Sequence, residues 1–219
     1  MERKIIKTND GSVTIHIEDL DESYHSKHGA IQEAYHVFIK SGLDLFSNEV
    51  AILEIGFGTG LNAFITYLEH LKRGLKINYV GVEAYPILKE EIAQLNYVEQ
   101  LQALEYEEVF KTMHQMTWNQ NILLDETFEF TKRQQFFQDI DDKGIFNLIY
   151  FDAFGFTVQP ELWNEEIFQK MYNALQPKGV LVTYACRTSI KNAMLKAGFK
   201  IEKLPGAPGK REMLRATKL

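Results

Sequence analysis

Residues 50–62 read Val-Ala-Ile-Leu-Glu-Ile-Gly-Phe-Gly-Thr-Gly-Leu-Asn. The first six residues are aliphatic apart from Glu54, as in a strand buried on both faces. A glycine-punctuated turn and a helical pattern follow at once, which is the layout of an α/β nucleotide-binding core. Gly56, Gly58 and Gly60 remove the Cβ atoms that would keep a ligand from the backbone, and the helix starting near Gly60 offers unpaired N–H groups. A ligand therefore belongs at this turn.

The spacing weighs between ligand classes. A nicotinamide or flavin fingerprint is G-x-G-x-x-G, with pyrophosphate on the helix N-terminus. Here the pattern is G-x-G-x-G, and Glu54 stands two residues before the first glycine. An acidic group there repels a pyrophosphate and suits an ammonium. The E-x-G-x-G-x-G arrangement resembles that of S-adenosylmethionine-dependent methyltransferases, with other Rossmann-like binders or a ligandless turn as the competing readings. The next apolar run, residues 77–82, ends at Glu83, about 20 residues past the last glycine, where a carboxylate can accept both hydroxyls of a ribose. Glu83 can equally cap a helix beginning near Pro86.

A second stretch, residues 146–163, reads Phe-Asn-Leu-Ile-Tyr-Phe-Asp-Ala-Phe-Gly-Phe-Thr-Val-Gln-Pro-Glu-Leu-Trp. A buried strand delivers Asp152 at its C-terminal end, the sheet edge that holds ligands in open α/β folds. A carboxylate there can orient an incoming amine and stabilise the ammonium that forms, or it can simply brace the loop. Phe154 and Phe156 can sandwich a base or close the core.

The chain has 219 residues, 45% hydrophobic and 25% charged, enough for one domain with additions and a sizeable core. Its single cysteine, Cys186, excludes an intrachain disulfide and fits a reducing compartment. No apolar run approaches the roughly 20 residues that a membrane span needs, and no signal core is evident, so a soluble, cytoplasmic protein is expected. The net charge of −6 argues against a general polyanion binder. It is unevenly spread, however. From Arg187 onward nine basic and two acidic residues give +7, leaving −13 for the remainder. A basic end on an acidic body can hold a phosphate backbone locally, or can be no more than solvated helix and strand faces.

Along the chain, residues 4–7 and 13–17 predict a hairpin around Thr-Asn-Asp-Gly-Ser. A polar loop follows, and then a helix over 30–40 that stops at Gly42. We expect residues 1–48 to form an N-terminal hairpin-and-helix addition and residues 49–219 the cofactor domain. His25 and His28 have a spacing that metal ligands can use, but no cysteine or carboxylate cluster accompanies them, and no metal is expected. Residues 85–120 read as helical, with Met113, Met116 and Trp118 as packing. Residues 122–132 predict a strand near the cofactor pocket and 133–140 a helix. A helix over 161–175, a strand over 180–184, a helix over 187–197 and closing strands over 199–203 and 212–217 complete the pattern.

With these pieces placed, the chain resembles the methyltransferase family represented by the N-terminal half of the bifunctional MnmC enzyme, whose members modify the wobble uridine of certain tRNAs. The resemblance runs from Glu22-Ser23-Tyr24-His25-Ser26 and Glu33-Ala34, through residues 55–62, to Asp152-Ala153-Phe154 with Pro160 and Trp163. Pro177 with Gly179, Thr183-Tyr184, Pro205-Gly206 and Lys210-Arg211-Glu212-Met213-Leu214 continue it. It implies a Rossmann-like α/β fold with helices on both sheet faces. The implied reaction is methyl transfer from S-adenosylmethionine to the amine of 5-aminomethyl-2-thiouridine in tRNA. Glu54, Gly56, Gly58 and Gly60 would hold the methionine part, Glu83 the ribose and Asp152 the reacting amine. Tyr24, His25 and Ser26 would wall the cofactor and substrate, Phe154 would meet the base, and Lys210 and Arg211 the tRNA backbone.

Two departures accompany it. Related methyltransferases carry Gly-Asp for the adenine amine where this chain continues Thr131-Lys132-Arg133, and a lysine-containing segment where it has Phe156-Thr157-Val158-Gln159. A separate FAD-dependent oxidase is the implied source of the precursor base. Competing expectations are an aminopropyltransferase or another amine methyltransferase, and a catalytically silent RNA-binding protein of the same fold. A dehydrogenase is disfavoured by the glycine spacing.

Overall fold

The computed structural model describes residues 2–219. It opens with the expected hairpin, β1 (Arg3–Lys7) antiparallel to β2 (Val13–Ile17), Arg3 opposite Ile17. A two-residue strand that the sequence pattern does not signal, β3 (Glu22–Ser23), pairs with β2 and delivers residues 24–26 to the site. Helix α1 (Ala30–Ala34) continues as π-helical turns over Tyr35–Lys40, so the expected helix exists but is underwound in its second half. Its Ala34, Val37 and Phe38 enter the same core as Ile52, Phe64 and Tyr150.

The chain then alternates β4 (Glu49–Ile55), α2 (Leu61–Arg73), β5 (Lys76–Glu83), α3 (Lys89–Ile92), α4 (Tyr97–Gln100) and α5 (Glu107–Gln115). Then come β6 (Asn121–Asp125), β7 (Phe128–Gln134), β8 (Phe146–Phe151), α6 (Glu165–Ala174), β9 (Leu175–Thr183), α7 (Thr188–Lys196), β10 (Phe199–Pro205) and β11 (Glu212–Lys218). The eight strands lie in the order β10-β11-β9-β8-β4-β5-β7-β6. The five central strands are parallel, and β11, β10 and β6 join antiparallel.

Alternate residues of the central strands feed two cores. Ile52, Leu148 and Tyr150 face α2 and α5, whereas Leu53, Ile149 and Phe151 face α6 and α7. Burial on both faces is why these strands read as continuous apolar runs. The chain leaves β4 for β5 on one side and reaches β8 on the other, so the gap at the C-terminal ends of β4 and β8 is where a ligand is expected to bind. No helix among the described residues is long and apolar enough to cross a membrane.

Five expectations need correction. Residues 122–132 form a hairpin and not one strand, because Asp125 accepts hydrogen bonds from the Thr127 amide (2.7 Å) and hydroxyl (3.1 Å) and turns the chain. Pairing with β5 carries β7 on to Gln134, which leaves a single 3-10 turn at Phe137–Asp139 in place of the helix over 133–140. Residues 85–120 are three short helices with a 3-10 turn, and the first begins at Lys89, past Pro86. Residues 161–175 divide into a 3-10 turn, Pro160–Trp163, and α6, whose N-cap Asn164 accepts from the Ile167 amide. β9 then starts at Leu175, five residues before the expected strand, because Leu175 pairs with Phe146 on β8.

Candidate active site

The turn after β4 is bound tightly to its neighbours. The Gly56 and Phe57 amides both donate to Val82 O at 3.0 Å, tying the turn to the end of β5. Gly56 has φ +89°, and a Cβ there would sit 2.5 Å from Asp152 O. Gly58 has φ +49°, and a Cβ would lie 2.9 Å from the Tyr24 ring. These two glycines line the cavity, but what demands them is the approach of β8 and of the Tyr24 loop. Gly60 packs instead against His114 and Phe57, away from the cavity. It leads into α2, which has no side-chain N-cap.

Three carboxyls gather at this edge. Glu54 is fully buried; its Oε1 accepts from Asn62 Nδ2 at 3.0 Å, while its Oε2 is buried without a partner. Burial pushes the Glu54 carboxyl well above its ordinary range, against the neighbouring Tyr79 hydroxyl and the Asn62 amide. Asp152, reached because its own amide donates to Ile55 O at 2.9 Å, accepts at Oδ2 from the same Asn62 Nδ2 at 2.9 Å. Burial and then the Glu33 charge raise its carboxyl to about 7, with the Asn62 hydrogen bond and Lys210 acting in the opposite sense. Glu83 accepts from Gly58 N at 3.0 Å and from Tyr85 N at 2.9 Å. It braces the glycine turn and caps no helix.

The N-terminal segment and the last loop close the cavity, whose volume is about 1310 Å³. Tyr24 meets Phe154 edge-on, with ring centroids 4.9 Å apart, and both line the cavity. His25 Nε2 lies 2.6 Å from Thr59 Oγ1, which also accepts from the Tyr97 hydroxyl at 3.1 Å. Burial lowers His25 to about 4, so its ring is neutral at physiological pH. The Ser26 amide donates to Glu33 Oε2 at 3.1 Å. Lys210 donates to Glu33 Oε1 at 2.5 Å and stands 3.8 Å over the Tyr184 ring.

The expected residues are thus brought together with three exceptions: Glu54 and Gly60 lie behind the wall, and Arg211 is exposed outside it. Lys210 faces the cavity and is ion-paired, so it is not a free cation on the outer surface. Several participants escaped the sequence reading. Asn62 had one signal, a polar residue inside the apolar run Leu61-Asn62-Ala63-Phe64. Glu33 and Tyr184 had none beyond membership of matching motifs, since only the fold brings them to Asp152. Gln134, Phe136 and Gln138 line the wall beyond Glu83, on the side where the chain departs from the Gly-Asp pattern.

Comparisons with known proteins place the chain in a family and a fold. A family described as S-adenosyl-L-methionine-dependent methyltransferase matches residues 93–219, a stretch that includes Asp152 and Lys210. The bifunctional tRNA 5-methylaminomethyl-2-thiouridine biosynthesis protein MnmC of Leptospira borgpetersenii is 30% identical over 212 residues, covering 89% of this chain and 32% of that protein. MnmC of Campylobacter fetus is 26% identical over 210 residues, covering 90% and 33%. The chain therefore spans about a third of the length of the curated relatives it matches. Among solved structures, MnmC2 from Aquifex aeolicus superposes with a TM-score of 0.76 at 23% identity, covering 100% of this chain and 70% of that one. Spermidine synthase from Thermotoga maritima superposes at 0.59 and 15% identity, covering 99% and 69%. At these identities the structural likenesses show the fold.

Proposed function

We propose, from the premise that this chain belongs to the S-adenosyl-L-methionine-dependent methyltransferase family, that it methylates the primary amine of 5-aminomethyl-2-thiouridine at the tRNA wobble position. The observation that carries the reading is Asp152. It sits at the C-terminal end of β8, lines the cavity and is raised by burial to about 7. The names of the relatives, which concern 5-methylaminomethyl-2-thiouridine biosynthesis, support the choice of amine.

The residues present fit the cofactor. Glu54 Oε2 is a buried acceptor without a partner beside the glycine turn, suited to the methionyl ammonium. Gly56 and Gly58 offer backbone to the methionine and ribose parts, and Glu83, held by two amides, suits the ribose hydroxyls. Gln134 and Gln138 offer amides for adenine in place of the Gly-Asp found in relatives.

When bound, S-adenosylmethionine supplies a methyl group already activated on a sulfonium. The chain's own part is to align the amine and take its proton. Asp152, poised near neutrality, accepts an N–H of the neutral amine and receives the proton as the nitrogen becomes cationic. Alignment of this kind is worth roughly 7–11 kcal/mol. Tyr24 and Phe154 flank the base, Ser26 and the neutral His25 line its approach, and the exposed Arg211 meets the phosphate backbone. A cytoplasmic setting and a separate FAD-dependent oxidase that makes the precursor base complete the proposal. The anionic cavity is for a cationic cofactor, and RNA is held at its basic rim.

The test is incubation with labelled S-adenosylmethionine and bulk tRNA from cells lacking this gene, followed by nucleoside mass analysis. A one-methyl gain on 5-aminomethyl-2-thiouridine is expected. A gain on a small amine, an aminopropyl product, or cofactor binding with no modified nucleoside would overturn the substrate assignment.

A further inference from the structure

We infer that Asn62 is the positioning residue of this site, its one amide nitrogen holding Asp152 in register with Glu54 so that the second oxygen of Asp152 is left for the cavity. The inference rests on the proposed methyl transfer only for the identity of the group that meets that oxygen.

Asn62 Nδ2 is 3.0 Å from Glu54 Oε1 and 2.9 Å from Asp152 Oδ2. An amide nitrogen carries two hydrogens, and here each is directed to a different carboxyl. Rotation of the amide would therefore release both at once. Asn62 is 2% exposed, and its backbone carbonyl accepts from the Thr66 hydroxyl at 2.7 Å, which fixes the first turn of α2 beneath it.

Two further observations separate positioning from plain structural filling. Asn62 Oδ1 is buried with no hydrogen-bond partner. An asparagine kept only to satisfy a polar core uses both ends, whereas this one is retained for its donors at the cost of an orphaned acceptor. Among the described residues, the bond from Asn62 is also the only hydrogen bond made to the Asp152 side chain. That single bond takes up Oδ2 and leaves Oδ1 without a hydrogen bond from the described residues.

The charged and titratable groups around Asp152 come from several elements: Glu54 on β4, Tyr79 on β5, Glu33 on α1, Tyr184 after β9 and Lys210 before β11. Of these, the carboxylates oppose ionisation of Asp152 and Lys210 favours it. The Asn62 donor favours it as well. Its removal must therefore raise the pH at which Asp152 ionises.

The test is a carboxyl titration of the whole chain by carbon-13 NMR on aspartate-labelled protein without cofactor, with Asp152→Asn identifying the signal. Asn62→Ala is expected to move the Asp152 midpoint upward by about one pH unit, a tenfold change in proton affinity. Asn62→Ser, whose hydroxyl can serve one carboxyl, is expected to move it less, and it carries the test if the alanine variant does not fold. An unmoved midpoint in a folded variant overturns the assignment. The second readout is turnover on bulk tRNA at saturating cofactor, where Asn62→Ala should lower kcat about tenfold or more and shift the ascending limb of the pH profile upward. A moved midpoint with no methyl transfer by the wild-type chain keeps Asn62 as the positioning residue and removes the substrate reading. Methyl transfer with an unmoved midpoint does the reverse.

Discussion

The carboxyl of Asp152 has two conflicting tasks, and the conflict is measurable. In the unfolded chain it ionises near about 3.9, while in the fold burial and Glu33 raise it to about 7. Between these values the native state holds a proton that the unfolded state has released, so stability falls as pH rises through that window. Asp152→Asn removes the penalty, and above neutral pH it should stabilise the fold by on the order of 1–3 kcal/mol, less than the full shift because the cavity is open to water. Thermal melts of both proteins at pH 3.5, 5 and 8 check this: the gain should be full at pH 8, reduced at pH 5 and nearly gone at pH 3.5. The same substitution should lower turnover by about 10² or more with cofactor affinity largely kept. Parallel loss of cofactor binding would make Asp152 a binding group only. This is the expected trade between stability and a strained functional group.

At the scale of elements, the turn between β4 and α2 shows that a glycine pattern can arise for more than one reason. Gly56 is needed because β8 passes under it, with Asp152 O 2.5 Å from the place of a Cβ. Gly74, at the end of α2, has a similar φ of +64° but nothing within 4 Å. Gly74→Ala should therefore cost only the left-handed strain, about 1–2 kcal/mol. Gly56→Ala adds a backbone collision and should cost on the order of 3 kcal/mol or more. Urea denaturation of the two variants gives the comparison, and titration with S-adenosylhomocysteine should show binding lost only in Gly56→Ala. Equal costs would mean that β8 yields freely and that the ligand, not the protein, requires the glycine.

Across the whole molecule, the site is closed by parts far apart in the chain. Glu33 from α1 holds Lys210 at 2.5 Å, and His36 Nε2 lies 2.8 Å from Pro205 O, so the N-terminal segment is clasped to the β10–β11 loop over the cavity. Glu33 also raises the ionisation of Asp152, while Lys210 lowers it. Glu33→Gln should therefore move the ascending limb of the rate profile to lower pH, and a limb that stays in place would show that solvent screens this charge. Four of the nine cations from Arg187 onward are ion-paired, two of them with Glu202 and Glu212 of the same segment. Lys196, Lys203, Lys210 and Arg215 pair with Glu165, Glu212, Glu33 and Glu202. Arg211 is exposed next to the rim, and Arg211→Glu should weaken tRNA binding and reduce its salt slope by about one. Filter binding over a salt series measures both, and an unchanged slope removes Arg211 from the interface.

The sequence by itself determined the parallel core, the glycine turn after β4 and the strand ends at Glu83 and Asp152. These follow from local rules, since burial on both faces makes a strand continuously apolar and a sharp turn selects glycine. Its charge count exposed the basic end without showing which four of those cations are ion-paired. It misread 122–140 because hairpin pairing and β5 contacts, which are non-local, overrode an apparent single strand and helix. Only the tertiary structure decided that Asn62 bridges Glu54 and Asp152, that Glu33 and Lys210 face Asp152 from opposite ends of the chain, and that Arg211 lies outside the cavity. The reason is physical: hydrogen bonds and desolvation depend on which groups are brought within about 3 Å and shielded from water, and no spacing along the chain encodes that distance.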